Sequence, residues 1–239
     1  MSLVTGFQPL YKQVYDQLMG RLVAGEWKPS DALPSEYALA AELGVSQGTV
    51  RKALNNLVAE KLLERRQGKG TYVAEHTDES SFFRFFHFSE PGGDSLIPET
   101  QVLSVKRRVA LSKERGHLKL PAKAQVAEMV RLRSLNGKPT IYETILQPLA
   151  IFPDIDKLDS YPNALYTLYQ DRFGVSVVEV KEELRSVSSS ARAAKSLGIK
   201  PGSPVLLVER FSISIDGRVV EWSSSYCSTS DFVYSVTLG

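Results

Sequence analysis

The chain has 239 residues, a formal net charge of +2, and 43% hydrophobic against 23% charged residues, which excludes disordered, collagen-like and membrane-embedded chains. No apolar run approaches the roughly 18 residues of a spanning helix, and the first residues lack the basic flank and apolar core of a secretory leader, so a cytoplasmic protein without membrane contact is expected. One cysteine, Cys227, excludes an internal disulfide and a cysteine-rich zinc site, and the near-neutral charge is silent about partners.

In chain order, the first predicted element is a helix from Pro9 to Ala24, where Tyr11, Val14, Tyr15, Leu18 and Leu22 recur at helical spacing and Gly25 closes the pattern. Leu33-Pro34-Ser35-Glu36 opens a second, short helix, with Ser35 as its N-cap and Glu36 at its positive end. Gly44 supplies the positive φ that ends it. Ser46 caps a third helix whose apolar face is Val50, Leu54, Leu57 and Val58, so Gln47, Gly48, Arg51, Lys52 and Asn55 point elsewhere. After Glu60 the period becomes extended: Leu62 to Arg66 and Thr71 to Val73 flank Gly68-Lys69-Gly70, a hairpin with a glycine-rich tip. Residues 77–95 read as a linker whose aromatic run, Phe82-Phe83-Arg84-Phe85-Phe86, must dock on something.

Beyond the linker, Val102 to Val109 alternates. Two hairpins follow: Val126 to Leu135 and Ile141 to Leu146 around Asn136-Gly137-Lys138, and Val205 to Ile215 and Val219 to Tyr226 around Asp216-Gly217. Asn163 to Phe173 and Ser189 to Leu197 read as helices, and Val175 to Val187 as extended. Strands punctuated by separate helices predict an antiparallel α+β domain. Each hairpin sets a glutamate, Glu143 or Glu221, an even number of residues after its turn glycine; their spacings differ, so an internal repeat stays an open question.

Three helices, a tight glycine turn and a basic hairpin jointly describe a winged helix-turn-helix. Small Ala40 belongs where the second and third helices cross, and Val50 packs back between them. The outer face then offers Ser46, Gln47, Thr49, Arg51, Lys52 and Asn55, donors suited to base edges and phosphates, while Arg65, Arg66 and Lys69 make the wing basic. Basic and acidic residues nearly balance over residues 1–76, so placement rather than total charge carries the signal. The competing reading is a protein-interaction module with a solvated basic face.

Residues Leu10 to Val73 resemble the GntR family of bacterial regulators. The matching blocks are Pro9-Leu10-Tyr11, Leu33 to Glu36, Gly44 to Leu54, and Gln67 to Thr71. The resemblance implies that Ser46, Thr49 and Arg51 meet operator DNA, that Ser35 meets phosphate, and that Gly68, Gly70 and Thr71 form the wing contact. With the neighbouring donors Gln47, Lys52, Arg66 and Lys69 these are the expected DNA-binding residues, on double-stranded DNA bound by a homodimer. Two departures stand out: Tyr37 and Gln47 occupy positions where the family usually has arginine.

The second half holds no HExxH, no GxSxG, no phosphate-binding P-loop spacing and no second cysteine, so no catalytic residue, metal site or cofactor is expected. Arg131 and Arg133 alternate with Val130 and Leu132, which puts both guanidinium groups on one strand face, able to converge on a phosphate or carboxylate. A three-residue loop would set Glu143 opposite Arg131. From spacing alone, the simpler reading is then a cross-strand ion pair on the surface.

From about Leu96 to Leu238 the chain is similar to the UTRA effector domain, with a chorismate-lyase-like fold, which follows the DNA-binding head in the HutC subfamily. The blocks are Arg131-Leu132-Arg133 with Asn136 to Pro139 and Glu143, Phe152-Pro153, Asn163 to Tyr166, Ala194 to Gly202, Val208 to Arg210, and Asp216 through Tyr226. The resemblance implies an effector site made of Arg131, Arg133, Glu143, Tyr166, Glu221 and Tyr226, for a small anionic metabolite or sugar phosphate. Ala164 replaces a serine typical of the sugar-phosphate sensors, which leaves a carboxylate-bearing metabolite equally open.

The expected architecture is therefore α+β: a winged helix-turn-helix over residues 1–76, a linker over 77–95 and a UTRA effector domain over 96–239. The expected function is a transcription repressor controlled by a bound metabolite. The alternative is a lyase-like enzyme with an accessory DNA-binding head, in which Glu143 or Glu221 serves as acid or base.

Overall fold

The computed structural model describes residues 8–75, 85–94 and 96–236. The chain divides into two units, Met1–His76 and Thr77–Gly239. In the first, α1 (Leu10–Val23), α2 (Glu36–Leu43) and α3 (Gln47–Ala59) precede a two-stranded wing of β1 (Leu63–Arg66) and β2 (Gly70–Val73). The caps act as the sequence requires. Ser35 Oγ accepts from Ala38 N at 3.1 Å and Ser46 Oγ from Thr49 N at 3.2 Å, each satisfying an amide that has no partner within its helix. Gly44 ends α2 at φ +64°, a left-handed value that side chains with a Cβ resist. Leu18, Leu39, Val50, Ala53, Leu54 and Leu57 form the core where the three helices meet. The wing leans on the turn before α2, with Leu33 N donating to Thr71 O at 2.8 Å.

The second unit is a six-stranded antiparallel sheet in the order β4-β5-β6-β9-β8-β7. Its strands are β4 (Glu99–Val109), β5 (Gln125–Leu135), β6 (Lys138–Pro148), β7 (Val177–Ser188), β8 (Pro204–Ser214) and β9 (Val219–Cys227). Helix α4 (Ser112–Leu118) follows β4, α5 (Leu165–Phe173) precedes β7, and α6 (Ala191–Leu197) follows β7. A strand, a short helix and a hairpin thus occur twice, β4-α4-β5-β6 and β7-α6-β8-β9, with β6 and β9 paired at the centre. The open question of an internal repeat has a topological answer: the unit is built from two like halves.

Side chains alternate across this sheet, and the two faces have different covers. One face packs Met129 and Ile145 under Leu165, Tyr166 and Tyr169 of α5, together with Phe85 and Phe152. The other packs Val130 and Tyr142 under Ala193 and Leu197 of α6, and Leu146 and Trp222 under Leu118 of α4.

The described part of the stretch expected as linker belongs to this second unit. Strand β3 (Phe88–Ser89) pairs with β10 (Val233–Tyr234), Phe85 and Phe86 are buried in its cores, and Phe82, Phe83 and Arg84 lie outside the described residues. The reason is hydrophobic: aromatic rings gain on the order of 1.5–3 kcal/mol each by burial, which a solvated linker forgoes. Among the described residues, no helix is long and apolar enough to cross a membrane.

The β5-β6 hairpin sets the geometry of the candidate site. Its turn is Asn136-Gly137, both at positive φ (49° and 73°), and closes in two residues, with Leu135 opposite Lys138. A β-bulge then shifts the register at Thr140, so Arg133 faces Ile141 and Arg131 faces Glu143. The expected pairing of Arg131 with Glu143 is present, produced by a two-residue turn plus one extra residue rather than by a three-residue loop.

Candidate functional site

On the first unit, the residues expected at DNA lie around α3 and the wing. Gln47, Arg51, Asn55, Arg66, Lys69 and the wing glycines Gly68 and Gly70 are exposed, and Thr49 and Thr71 are half-buried. The Ser35 and Ser46 hydroxyls are occupied as caps, Ser46 also sharing a 2.8 Å bond with Thr49 Oγ1. Arg66 lies 4.2 Å from the Tyr72 ring centre and pairs with Glu64 at 2.6 Å. Lys52 departs from the expectation of a shared face with Arg51. One residue along a helix turns about 100°, and its Nζ rests 3.9 Å from the centre of the Tyr11 ring on α1. Tyr37 projects into solvent at 76% exposure, next to Glu36.

On the second unit, a pocket opens on the sheet face covered by α5 and the 85–89 segment. Arg131, Arg133, Glu143, Tyr166 and Glu221 all line it. The expected Arg131–Glu143 ion pair exists, with Nε to Oε2 at 3.0 Å and a terminal nitrogen to the same oxygen at 2.6 Å. It is buried rather than on the surface, because α5 and the aromatic segment cover this face. Burial pushes the Glu143 carboxyl up, but Arg131 and then Arg133 outweigh it and hold the group at about 2. Burial, and next the charge of Arg131, lower Arg133 to about 9, which leaves it a cation at neutral pH. Its guanidinium lies 4.8 Å from the centre of the Phe86 ring.

Tyr166 shares a 2.8 Å hydrogen bond with Ser212 Oγ, and burial, then the nearby Glu221, push its hydroxyl up to about 12. Glu221 accepts from Ser212 Oγ at 2.9 Å and from Tyr169 Oη, and burial raises its pKa. The start of α5 lines the pocket through Ala164 and Leu165, offering main-chain donors and the positive helix end to an anion. At Ala164 no hydroxyl is available.

Tyr226 is a correction. It lies five residues from Glu221, so strand alternation turns it to the opposite face; there it pairs with Tyr142 and packs against the cluster of Ala193 and Leu197. Tyr226→Phe is accordingly expected to change the midpoint of effector-induced DNA release by less than about twofold, measured by anisotropy titration. A much larger shift would contradict its placement.

Sequence reasoning missed Arg210, Phe86, Asn163 and Ser223, which also line the pocket. Arg210 Nε donates to Glu182 at 2.6 Å and a terminal nitrogen donates to the Phe85 carbonyl, so this arginine ties the covering segment to the sheet. The available signal was a charged residue amid the apolar run from Val205 to Ile213. Three guanidinium groups face two carboxyls in the lining, one of them with a raised pKa, and Glu182 just outside the lining answers Arg210. Among the described residues, no group of three metal-ligating side chains gathers.

Comparison with known proteins matches a family to each unit. The model of bacterial regulatory proteins of the gntR family matches residues 10–73, and the UTRA domain model matches residues 95–233. The chain is 31% identical over 232 residues to the mannosyl-D-glycerate transport/metabolism system repressor MngR of Escherichia coli, covering 97% of this chain and 96% of the relative. It is 26% identical over 220 residues to the "Probable fructoselysine utilization operon transcriptional repressor" of the same species, covering 92% and 90%. A GntR-family ligand-binding domain from Bordetella bronchiseptica superposes with a TM-score of 0.59 at 28% identity, covering 65% of this chain and 98% of that one.

Proposed function

Because this chain belongs to the GntR family of bacterial regulators and joins its DNA-binding head to a UTRA domain, we propose that it is a cytoplasmic homodimeric repressor released from its operator by an anionic, hydroxylated metabolite. The head of residues 1–76 reads DNA through Arg51, Gln47, Thr49 and the wing. The second unit senses the metabolite and binds it without converting it. A homodimer matches the need to read enough bases, since one recognition helix covers too few for a specific site.

The observation that carries the effector reading is the buried pocket where Arg131, Arg133 and Arg210 meet Glu143 and Glu221. The cations and the start of α5 favour an anionic group, while the two carboxyls and Ser223 are suited to orienting hydroxyls. The names of the two relatives concern a mannosyl glycerate and fructoselysine, both sugar derivatives. Ala164 supplies no hydroxyl to a phosphate, so sugar carboxylates and sugar phosphates are separate arms of the test.

The experiment is a thermal-shift screen of both classes on the full chain, followed by titration of each hit against DNA-bound protein at fixed salt. Arg133→Ala is expected to weaken the effector by about 2 kcal/mol, roughly thirtyfold, while DNA affinity without effector stays unchanged. Release by the hit at wild-type concentrations would remove Arg133 from the site. Turnover of the hit would replace a sensor by an enzyme.

A further inference from the structure

We propose that Glu36 is the positioning residue of the DNA-reading surface: its single carboxylate holds Arg51 of the recognition helix and Arg65 of the wing in fixed relation. Its two oxygens divide the task. Oε2 accepts from Arg51 Nε at 2.8 Å, and Oε1 accepts from a terminal nitrogen of Arg65 at 3.1 Å. That Arg65 nitrogen also donates to Asn55 Oδ1 at 2.8 Å. Three elements, α2, α3 and β1, are thereby tied through one acid. The Glu36 side chain is 19% exposed, whereas Arg51 is 55% and Arg65 44% exposed, so the acid is the sheltered centre and the bases lie outside it.

The bond to Arg51 uses Nε and leaves the two terminal amino groups for an acceptor outside the chain. An arginine held in one rotamer before binding loses less freedom when DNA fixes it. For DNA affinity a carboxylate near phosphates is otherwise a cost, because like charges repel. Pre-organisation and bare electrostatics therefore predict opposite signs when the Glu36 charge is removed. This inference rests on the reading that Arg51 meets the operator, and its test keeps the two separable.

Full-length wild type, Glu36→Gln, Arg51→Ala and the double variant are titrated at fixed salt against two duplexes of equal length. One is selected by the wild type from a randomised pool, and the other is unrelated. Glu36→Gln is expected to weaken binding to the selected duplex about tenfold, while the unrelated duplex binds as before or more tightly. In the Arg51→Ala background the same change is expected to cost clearly less, since part of its effect acts through Arg51. Equal or tighter binding of Glu36→Gln to both duplexes, with Arg51→Ala impaired, overturns the role of Glu36 alone. Normal binding by Arg51→Ala overturns both readings. An equal loss on both duplexes with a lowered thermal midpoint marks a fold defect and also overturns the positioning role.

Discussion

Arg51→Ala is expected to weaken binding to a selected operator duplex by about 1–3 kcal/mol per recognition helix, and by about twice that in a dimer occupying two half-sites. The side chain is more than half exposed, and its neighbours Val50, Ala53 and Leu54, not Arg51, supply the core of the head. The fold is thus expected to survive the truncation, and the loss falls on binding. Anisotropy titration at fixed salt measures the first effect. Size-exclusion chromatography with circular dichroism checks that assembly and helix content are retained. Undiminished affinity would show that α3 presents a different residue to the bases.

Glu143→Gln is expected to destabilise the second unit by on the order of 3 kcal/mol at pH 7. The change keeps the shape of the side chain and removes the charge that answers Arg131, whose side chain is 5% exposed. The pH dependence gives the sharper check. Glu143 lies near 2 when folded, below the usual carboxyl value of 4.5. Its stabilisation is therefore complete above about pH 5 and is lost as the pH falls through 2, where wild type becomes as neutral at this position as the glutamine variant. The gap between the two proteins should close over that interval. With Trp27 replaced by phenylalanine, Trp222 is the remaining tryptophan and reports urea unfolding of the second unit. A gap unchanged between pH 7 and pH 3 would mean that the pair contributes through shape rather than charge.

The head was legible in the sequence because its signals are local. Ser35, Gly44 and Ser46 are each caps or turns that act within four residues of themselves, and the observed helices begin and end where those residues stand. Helix α4 went unpredicted for the same reason in reverse. Its N-cap is Leu111, and its first turn is secured by Glu114 accepting from the Leu111 amide at 2.7 Å, a device without a conventional cap residue. Gly116 inside it weakens the pattern further.

The pocket was legible only in part. Alternation puts Arg131, Arg133 and Glu143 together, and the same parity argument, applied to Glu221 and Tyr226, would have placed Tyr226 on the far face. Arg210 needed more than parity: it joins the site only because β8 pairs with β9, setting it opposite Ser223. The burial of the Arg131–Glu143 pair was beyond local reasoning. Its covers are α5, some twenty residues downstream of Glu143, and Phe85 and Phe86, more than forty residues upstream of Arg131.

The bulge at Thr140 has a meaning for comparing relatives. A tight turn alone would put Tyr142, not Glu143, across from Arg131; the inserted residue advances the strand by one step and brings the acid into phase. Loop length and bulge are therefore interchangeable ways of writing the same pairing, and closing these same residues without the bulge would swap an acid for a phenol beside the arginine. The chemistry that this hairpin presents to the pocket is encoded by a count of residues as much as by their identity: the odd number between Arg131 and Glu143 needs either a bulge or a three-residue loop to keep acid and base in phase.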